Sequence, residues 1–174
     1  VANGQIDLAI IGGQLPGDLE NLLQIIPYAT DELALVLPIT HPLANKKELS
    51  KEDLYKLNFV TLDSQSTTRK VVDKLLKDSG LEIQRLKIEM ELNSLEAIKN
   101  AVQAGLGASF IPVVSIEREL AGGTIHKAKI ADLEVKRELK LITNPSRYTS
   151  RASQVFKKNI LPQFASSDSP LRKI

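Results

Sequence analysis

Two stretches of this sequence gather hydroxyl and amide side chains directly after apolar, β-prone runs: Leu62-Asp63-Ser64-Gln65-Ser66-Thr67-Thr68-Arg69 and Leu92-Asn93-Ser94. Each opens a segment with helical periodicity. A helix N-terminus presents unpaired N–H groups and the positive end of the helix dipole, so it attracts anions. Ser66, Thr67, Thr68, Asn93 and Ser94 could hydrogen-bond a carboxylate or phosphate, and Arg69 could add a bidentate charge. The same residues can equally be ordinary caps, which every helix needs, with Arg69 facing water. Gly12-Gly13, which ends an earlier apolar run, either lets a ligand approach backbone or makes a turn.

Catalytic chemistry is hard to find. His41 precedes Pro42 in a turn and His126 lies in a predicted strand, and neither has a partner at metal-ligand spacing. The chain has no cysteine, hence no disulfide, thiolate metal site or cysteine nucleophile. Neither a Gly-x-Ser-x-Gly elbow nor a Gly-x-x-x-x-Gly-Lys phosphate loop occurs. Gly105-Leu106-Gly107 starts like a dinucleotide fingerprint, but Phe110 stands at its third glycine position and a helix precedes it, so a tight helix-to-strand turn is expected. Glu89 and Glu91 alternate along a strand with no companion acid, and a solvated face is expected for them. No enzyme, metal or cofactor is expected.

The elements that must position the polar turns are legible from periodicity. Ile6–Ile11 is nearly continuous and apolar, as in a strand covered on both faces of a parallel sheet. Two short strands, Gln24–Tyr28 and Glu32–Leu37, are expected to flank a turn at Ala29-Thr30-Asp31. Ser50 caps a short helix with an acidic first turn. Phe59–Leu62 is a strand, and Val71, Val72, Leu75 and Leu76 stripe a helix closed by Gly80. Leu86, Ile88, Met90 and Leu92 alternate as a half-exposed strand. Asn93 is expected at the N-cap of the next helix, with Glu96 reaching back to it. Ala108–Ile111 is a buried strand, Val113–Leu120 a short helix, and Ile125–Ile130 and Leu139–Thr143 further strands. Ser150–Leu161 is a closing helix buried through Ala152, Val155, Phe156 and Ile160, with a frayed tail from Ser166.

The 174 residues suffice for one domain or two small lobes, and 43% hydrophobic with 25% charged residues describes a folded chain. The 23 basic against 21 acidic residues argue against a nucleic-acid grip, and 4% aromatics without Trp argue against a base-stacking platform. No apolar run approaches the roughly 18 residues of a membrane span. Val1-Ala2-Asn3-Gly4 does not read as a signal peptide. Asn3-Gly4 looks like the end of a helix, so the natural protein is expected to extend N-terminally. Strand–helix–strand units between Phe59 and Ile111 call for parallel strands with right-handed crossovers. Residues 39–138 are therefore expected as one lobe. Residues 1–38 and 139–174, each too small for a core, are expected to share a second, with a ligand cleft between two α/β lobes.

The order of several motifs is similar to a known family. Gly4-Gln5-Ile6-Asp7-Leu8-Ala9-Ile10, Asp31–Pro38 followed by His41-Pro42-Leu43-Ala44, and Val102–Pro112 resemble the effector domain of LysR-type transcriptional regulators. Ile88–Val102 and Asn144-Pro145-Ser146-Arg147-Tyr148 are more similar to the Rubisco-operon regulators of cyanobacteria and algal plastids. The resemblance implies two Rossmann-like α/β lobes of the periplasmic-binding-protein type II kind, the first incomplete here, crossed by hinge strands at Glu32–Pro38 and Glu138–Asn144. Leu37, Pro38, Leu141 and Thr143 would be the hinge residues. Gly12, Thr67, Thr68, Arg69, Asn93 and Ser94 match the family's effector pocket, Gly12 standing where relatives can carry a hydroxyl. The implied ligand is a small anionic metabolite, an organic acid or a phosphorylated sugar. The implied assembly is a homo-oligomer, dimer or tetramer in the full-length protein, in the cytoplasm or plastid stroma. DNA would be met only through a helix-turn-helix outside this chain, and no membrane is implied. The competing reading is a stand-alone solute-binding protein of the same fold.

Overall fold

β-Strands in this chain alternate their side chains between two apolar layers, and that alternation organises the larger part of the molecule. The computed structural model describes residues 1–160. The chain forms two units, Glu32–Lys136 and Val1–Asp31 together with the chain from Arg137.

In the Glu32–Lys136 unit the end of strand β2 (Gln24–Pro38) lies between β5 (Ser109–Pro112) and β6 (Ile125–Ala128), antiparallel to both. Strands β3 (Asn58–Leu62) and β4 (Lys87–Leu92) pair in parallel. A parallel bridge between Phe59 and Ala108 joins β3 to the chain entering β5. Helix α3 (Thr67–Asp78) covers one face of this sheet and α4 (Leu95–Gln103) the other. Leu33, Leu35 and Leu37 of β2 and Phe59 of β3 pack with Val72 and Leu76 of α3. Ala34, Val36 and Val60 point the opposite way, onto Ile98, Ala101 and Val102 of α4. Period-two strands thus feed two hydrophobic layers, as expected of a sheet with helices on both faces.

The α4-to-β5 turn behaves as expected. Gly105 takes φ +82°, and the Leu106 N–H donates to the Ala101 carbonyl at 3.0 Å, a Schellman-type closure. Gly107 is required by crowding, because a Cβ there would come 2.7 Å from the Asn58 carbonyl oxygen. Gly80, at φ +89°, closes α3.

Several boundaries differ from expectation. β2 is one continuous strand through Ala29-Thr30-Asp31. The turn signal loses because Ala29 and Asp31 are buried and Asp31 Oδ2 accepts from Arg137 Nε at 2.9 Å, with Nη2 at 2.7 Å. The expected Val113–Leu120 helix is a 3-10 turn, Val113–Ser115, followed by α5 (Glu117–Ala121). It breaks where Ile116 adopts φ −123° and the Ser115 carbonyl accepts from Lys99 Nζ at 3.0 Å. β6 ends at Ala128, and Ile130 only bridges Leu49 and Leu133.

In the other unit, β1 (Leu8–Ile11) pairs antiparallel with β7 (Lys136–Thr143), from Leu8↔Thr143 to Ile11↔Lys140. It is shorter than the expected Ile6–Ile11 strand, antiparallel rather than parallel, and only half-buried, with Ile10 41% exposed. A one-turn helix, α1 (Gly17–Glu20), follows β1. Helix α6 (Arg151–Ile160) forms, but Ala152, Val155 and Phe156 are exposed and Ser153 is the buried residue. Its first turn is fixed by Asp7, whose Oδ2 accepts from the Ser150 N–H at 3.1 Å. The Ile160 side chain, Leu161 and the tail from Ser166 lie outside the described residues.

Candidate anion-binding site

The carboxyl ends of β3 and β4 are register partners, Leu62 opposite Leu92. From there each strand passes through a short polar turn into a helix. The Asp63 N–H donates to the Leu92 carbonyl at 3.1 Å and ties the two exits together. Asp63 then folds the turn, its Oδ1 accepting from the Gln65 N–H at 2.9 Å and its carbonyl from the Ser66 N–H at 3.0 Å. Thr67, Thr68 and Arg69 form the first turn of α3, while Asn93 and Ser94 lead directly into α4. The structure gathers these five residues at one edge of the parallel pair.

Neither helix is capped by its own side chain. Ser66 at the α3 N-cap and Ser94 at the α4 N-cap make no side-chain capping bond. The expected Asn93–Glu96 capping box does not form. The cap falls one residue later, on Ser94, and Glu96 pairs instead with Lys99 at 2.8 Å. Lys99 is buried and also meets Glu119 of α5 at 2.8 Å; Glu119 first, then Glu96, raises its pKa above the ordinary lysine value. A buried ammonium outcompetes a helix end for the Glu96 carboxylate. Two helix starts without a side-chain cap remain, with Thr67 and Asn93 exposed beside them, a setting that suits an oxyanion.

Arg69 neither faces water nor stands ready for a ligand. Its side chain is only 12% exposed. Nε donates to both Asp73 oxygens at 2.9 and 2.8 Å. Nη1 donates to Thr61 Oγ1 at 2.6 Å, to the Leu62 carbonyl at 3.2 Å and to Glu91 Oε1 at 3.2 Å. The guanidinium staples the start of α3 to both parallel strands. Sequence reasoning missed Thr61, Asp73 and Glu91. Asp73 carried a signal, since it lies four residues after Arg69 on one helix face. Glu91 carried none. The β3–β4 register shifts between Phe59 and Val60, pairing Phe59 with Ile88 but Val60 with Met90, so Glu89 is the extra residue of a bulge. The bulge shifts the phase of β4, so Glu91 shares a face with Ile88 and reaches Arg69, while its side chain stays 44% exposed, as expected of a solvated face.

Beneath Arg69 lies a cavity of about 30 Å³ lined by Thr61, Thr68, Phe59, Val72 and Phe110. That is room for a water or two. An organic anion has no space under α3 in this conformation, and the accessible donors are those of the edge.

Gly12, in the other unit, ends β1 against Arg137. A Cβ there would lie 2.9 Å from Arg137 Cδ and 3.0 Å from both Nε and Leu139 Cδ2. The packed arginine gives this glycine a structural reason. Leu37 and Pro38, in β2, and Leu141 and Thr143, in β7, are buried, and the chain divides between Asp31 and Glu32 and between Lys136 and Arg137. His41 Nδ1 accepts from the Leu43 N–H at 3.1 Å, a capping role. Among the described residues no acidic, His or Cys cluster could hold a metal, and no helix is long and apolar enough to cross a membrane.

An edge where strands of an α/β sheet pass into helices is a common place for small-molecule sites. The LysR substrate binding domain family model matches residues 1–165, and the chain belongs to that family. A protein named "Probable RuBisCO transcriptional regulator" from Synechocystis sp. is 58% identical over 165 residues, covering 95% of this chain and 48% of that protein. One of the same name from Porphyra purpurea is 55% identical over 164 residues, covering 94% and 52% respectively. The chain thus spans about half the length of the curated relatives it matches. Among solved structures, the Synechocystis CcmR regulatory domain in complex with 2-PG superposes with a TM-score of 0.80 at 24% identity, covering 95% of this chain and 76% of that one. The effector binding domain of QuiR in complex with shikimate gives 0.76 at 24%, covering 92% and 73%. These likenesses establish the fold, which is the α/β regulatory-domain fold expected from the sequence.

Proposed function

We propose that this chain senses a small anionic metabolite on behalf of a LysR-type DNA-binding regulator that controls carbon-fixation genes. The carrying observation is the pair of helix starts without side-chain caps, α3 and α4, brought to one sheet edge with Thr67, Thr68, Asn93 and Ser94 around them. Backbone N–H groups and hydroxyls there suit a carboxylate or phosphate. Arg69 belongs to the set as the staple that holds the α3 turn. Two neighbours in fold are solved with small acids, 2-PG and shikimate, and the relatives' names point to RuBisCO genes. An organic acid or a phosphorylated sugar is therefore the ligand class. The protein is a sensor rather than a catalyst, acting as a homo-oligomer in the cytoplasm or stroma and meeting DNA through another part of its parent polypeptide. Ligand binding would bias that assembly by population shift.

Calorimetric titration of the chain with 2-phosphoglycolate, and separately with shikimate, tests the reading. Saturable binding of at least one, weakened roughly tenfold or more by Thr67→Ala combined with Ser94→Ala, is expected from the loss of hydrogen bonds to a charged group. Binding that the double substitution leaves unchanged removes the proposed edge.

A further inference from the structure

We propose that Glu91 is a built-in competitor for Arg69, occupying the position an effector oxygen takes on binding, and so sets which anions the edge accepts. The inference rests on the edge site proposed above. It starts from charge. Two carboxylates, Asp73 and Glu91, face one guanidinium, so an incoming anion meets an excess of one negative charge around Arg69. A like charge beside a binding position opposes a second one.

The two carboxylates are not equivalent. Asp73 grips Nε with both oxygens at 2.9 and 2.8 Å and sits one turn along the same helix. Glu91 reaches Nη1 through one oxygen at 3.2 Å, comes from a different element, and has a side chain 44% exposed against 32% for Asp73. A long, single, half-exposed ion pair is worth little and opens readily. Turning Glu91 into water leaves Arg69 fixed by Asp73, Thr61 and the Leu62 carbonyl, and leaves the Nη1 side beside the Thr61 hydroxyl for another oxygen. Thr61 and Glu91 are cross-strand partners in the β3–β4 register, so the position is defined by the sheet rather than by a loop. The bulge at Glu89 puts Glu91 there; without it Glu91 would face the opposite side.

The experiment is calorimetric titration of the full chain with 2-phosphoglycolate and with shikimate, comparing wild type, Glu91→Gln, Arg69→Gln and the double variant. Thermal melting serves as a check that each is folded. Glu91→Gln is expected to bind 2-phosphoglycolate about three- to tenfold more tightly, with a smaller gain for the singly charged shikimate. The gain should vanish when Arg69→Gln is also present. If wild type binds too weakly to measure, binding that emerges in Glu91→Gln supports the proposal, and none in either overturns it. Unchanged or weaker binding in Glu91→Gln, or an equal gain in the Arg69→Gln background, also overturns it. Where wild type binds measurably and Thr67→Ala with Ser94→Ala still weakens that binding, the edge site stands and only the role of Glu91 falls.

Discussion

Three helix starts in the Glu32–Lys136 unit show two ways of treating the same physical problem. Helix α2 (Lys51–Leu54) is closed upon itself: Ser50 Oγ accepts from the Asp53 N–H at 3.3 Å, and Asp53 Oδ2 accepts from the Ser50 N–H at 2.9 Å. Lys46 and Lys56 both pair with the same carboxylate, which is nearly buried. Helices α3 and α4, with serines at the same N-cap position, make no such bonds. Identical cap residues therefore do not mean identical roles. A short helix that only needs to exist satisfies its own N–H groups. Two longer helices, stabilised by apolar faces on both sides of the sheet, form without a side-chain cap.

Substitutions can break this contrast. Asp53→Ala should be the most damaging, removing the capping box and a buried partner of Lys46, at about 1–2 kcal/mol in urea unfolding, with anion affinity unchanged. Ser50→Ala should cost about 1 kcal/mol by the same measurement. Lowering the pH should erase the advantage of wild type over Asp53→Ala. Lys46, the Ser50 backbone and Lys56 hold the Asp53 carboxyl well below its ordinary value of 3.8. A depressed folded-state pKa means stability present above 3.8 and lost progressively as pH falls below it, so the two urea midpoints should converge in that acid range. Ser66→Ala should have the smallest effect, under about 0.5 kcal/mol, because no capping bond is lost. A cost at Ser66 equal to that at Ser50 would abolish the contrast.

Much of the fold was legible because it depends on local signals. The alternation of Leu33, Leu35 and Leu37 with Ala34 and Val36, the stripe of α3 and the Gly105 turn all follow from periodicity and backbone freedom, and the polar turns after Leu62 and Leu92 stood out by composition. What escaped depends on distant partners. Asp31 looked like a turn residue until Arg137, far along the chain, supplied its counter-ion. Glu96 looked like a cap until Lys99 was seen to be buried. Glu91 is exposed as expected, but its pairing with Arg69 escaped because a bulge, which leaves no mark in a two-residue pattern, changed the face it shares. The exposed apolar side of α6 could not be anticipated either, since hydrophobic spacing says which residues share a face and not what that face meets.

The account is tested most directly by backbone amide chemical shifts of the isotope-labelled chain as 2-phosphoglycolate is added. Amides of Thr67–Arg69 and Ser94–Glu96 should move together with one saturation curve, while those of Lys51–Asp53 at the closed helix stay fixed. Perturbations centred on the α2 start, or spread evenly over all three, would contradict the division of labour between closed and open helix ends.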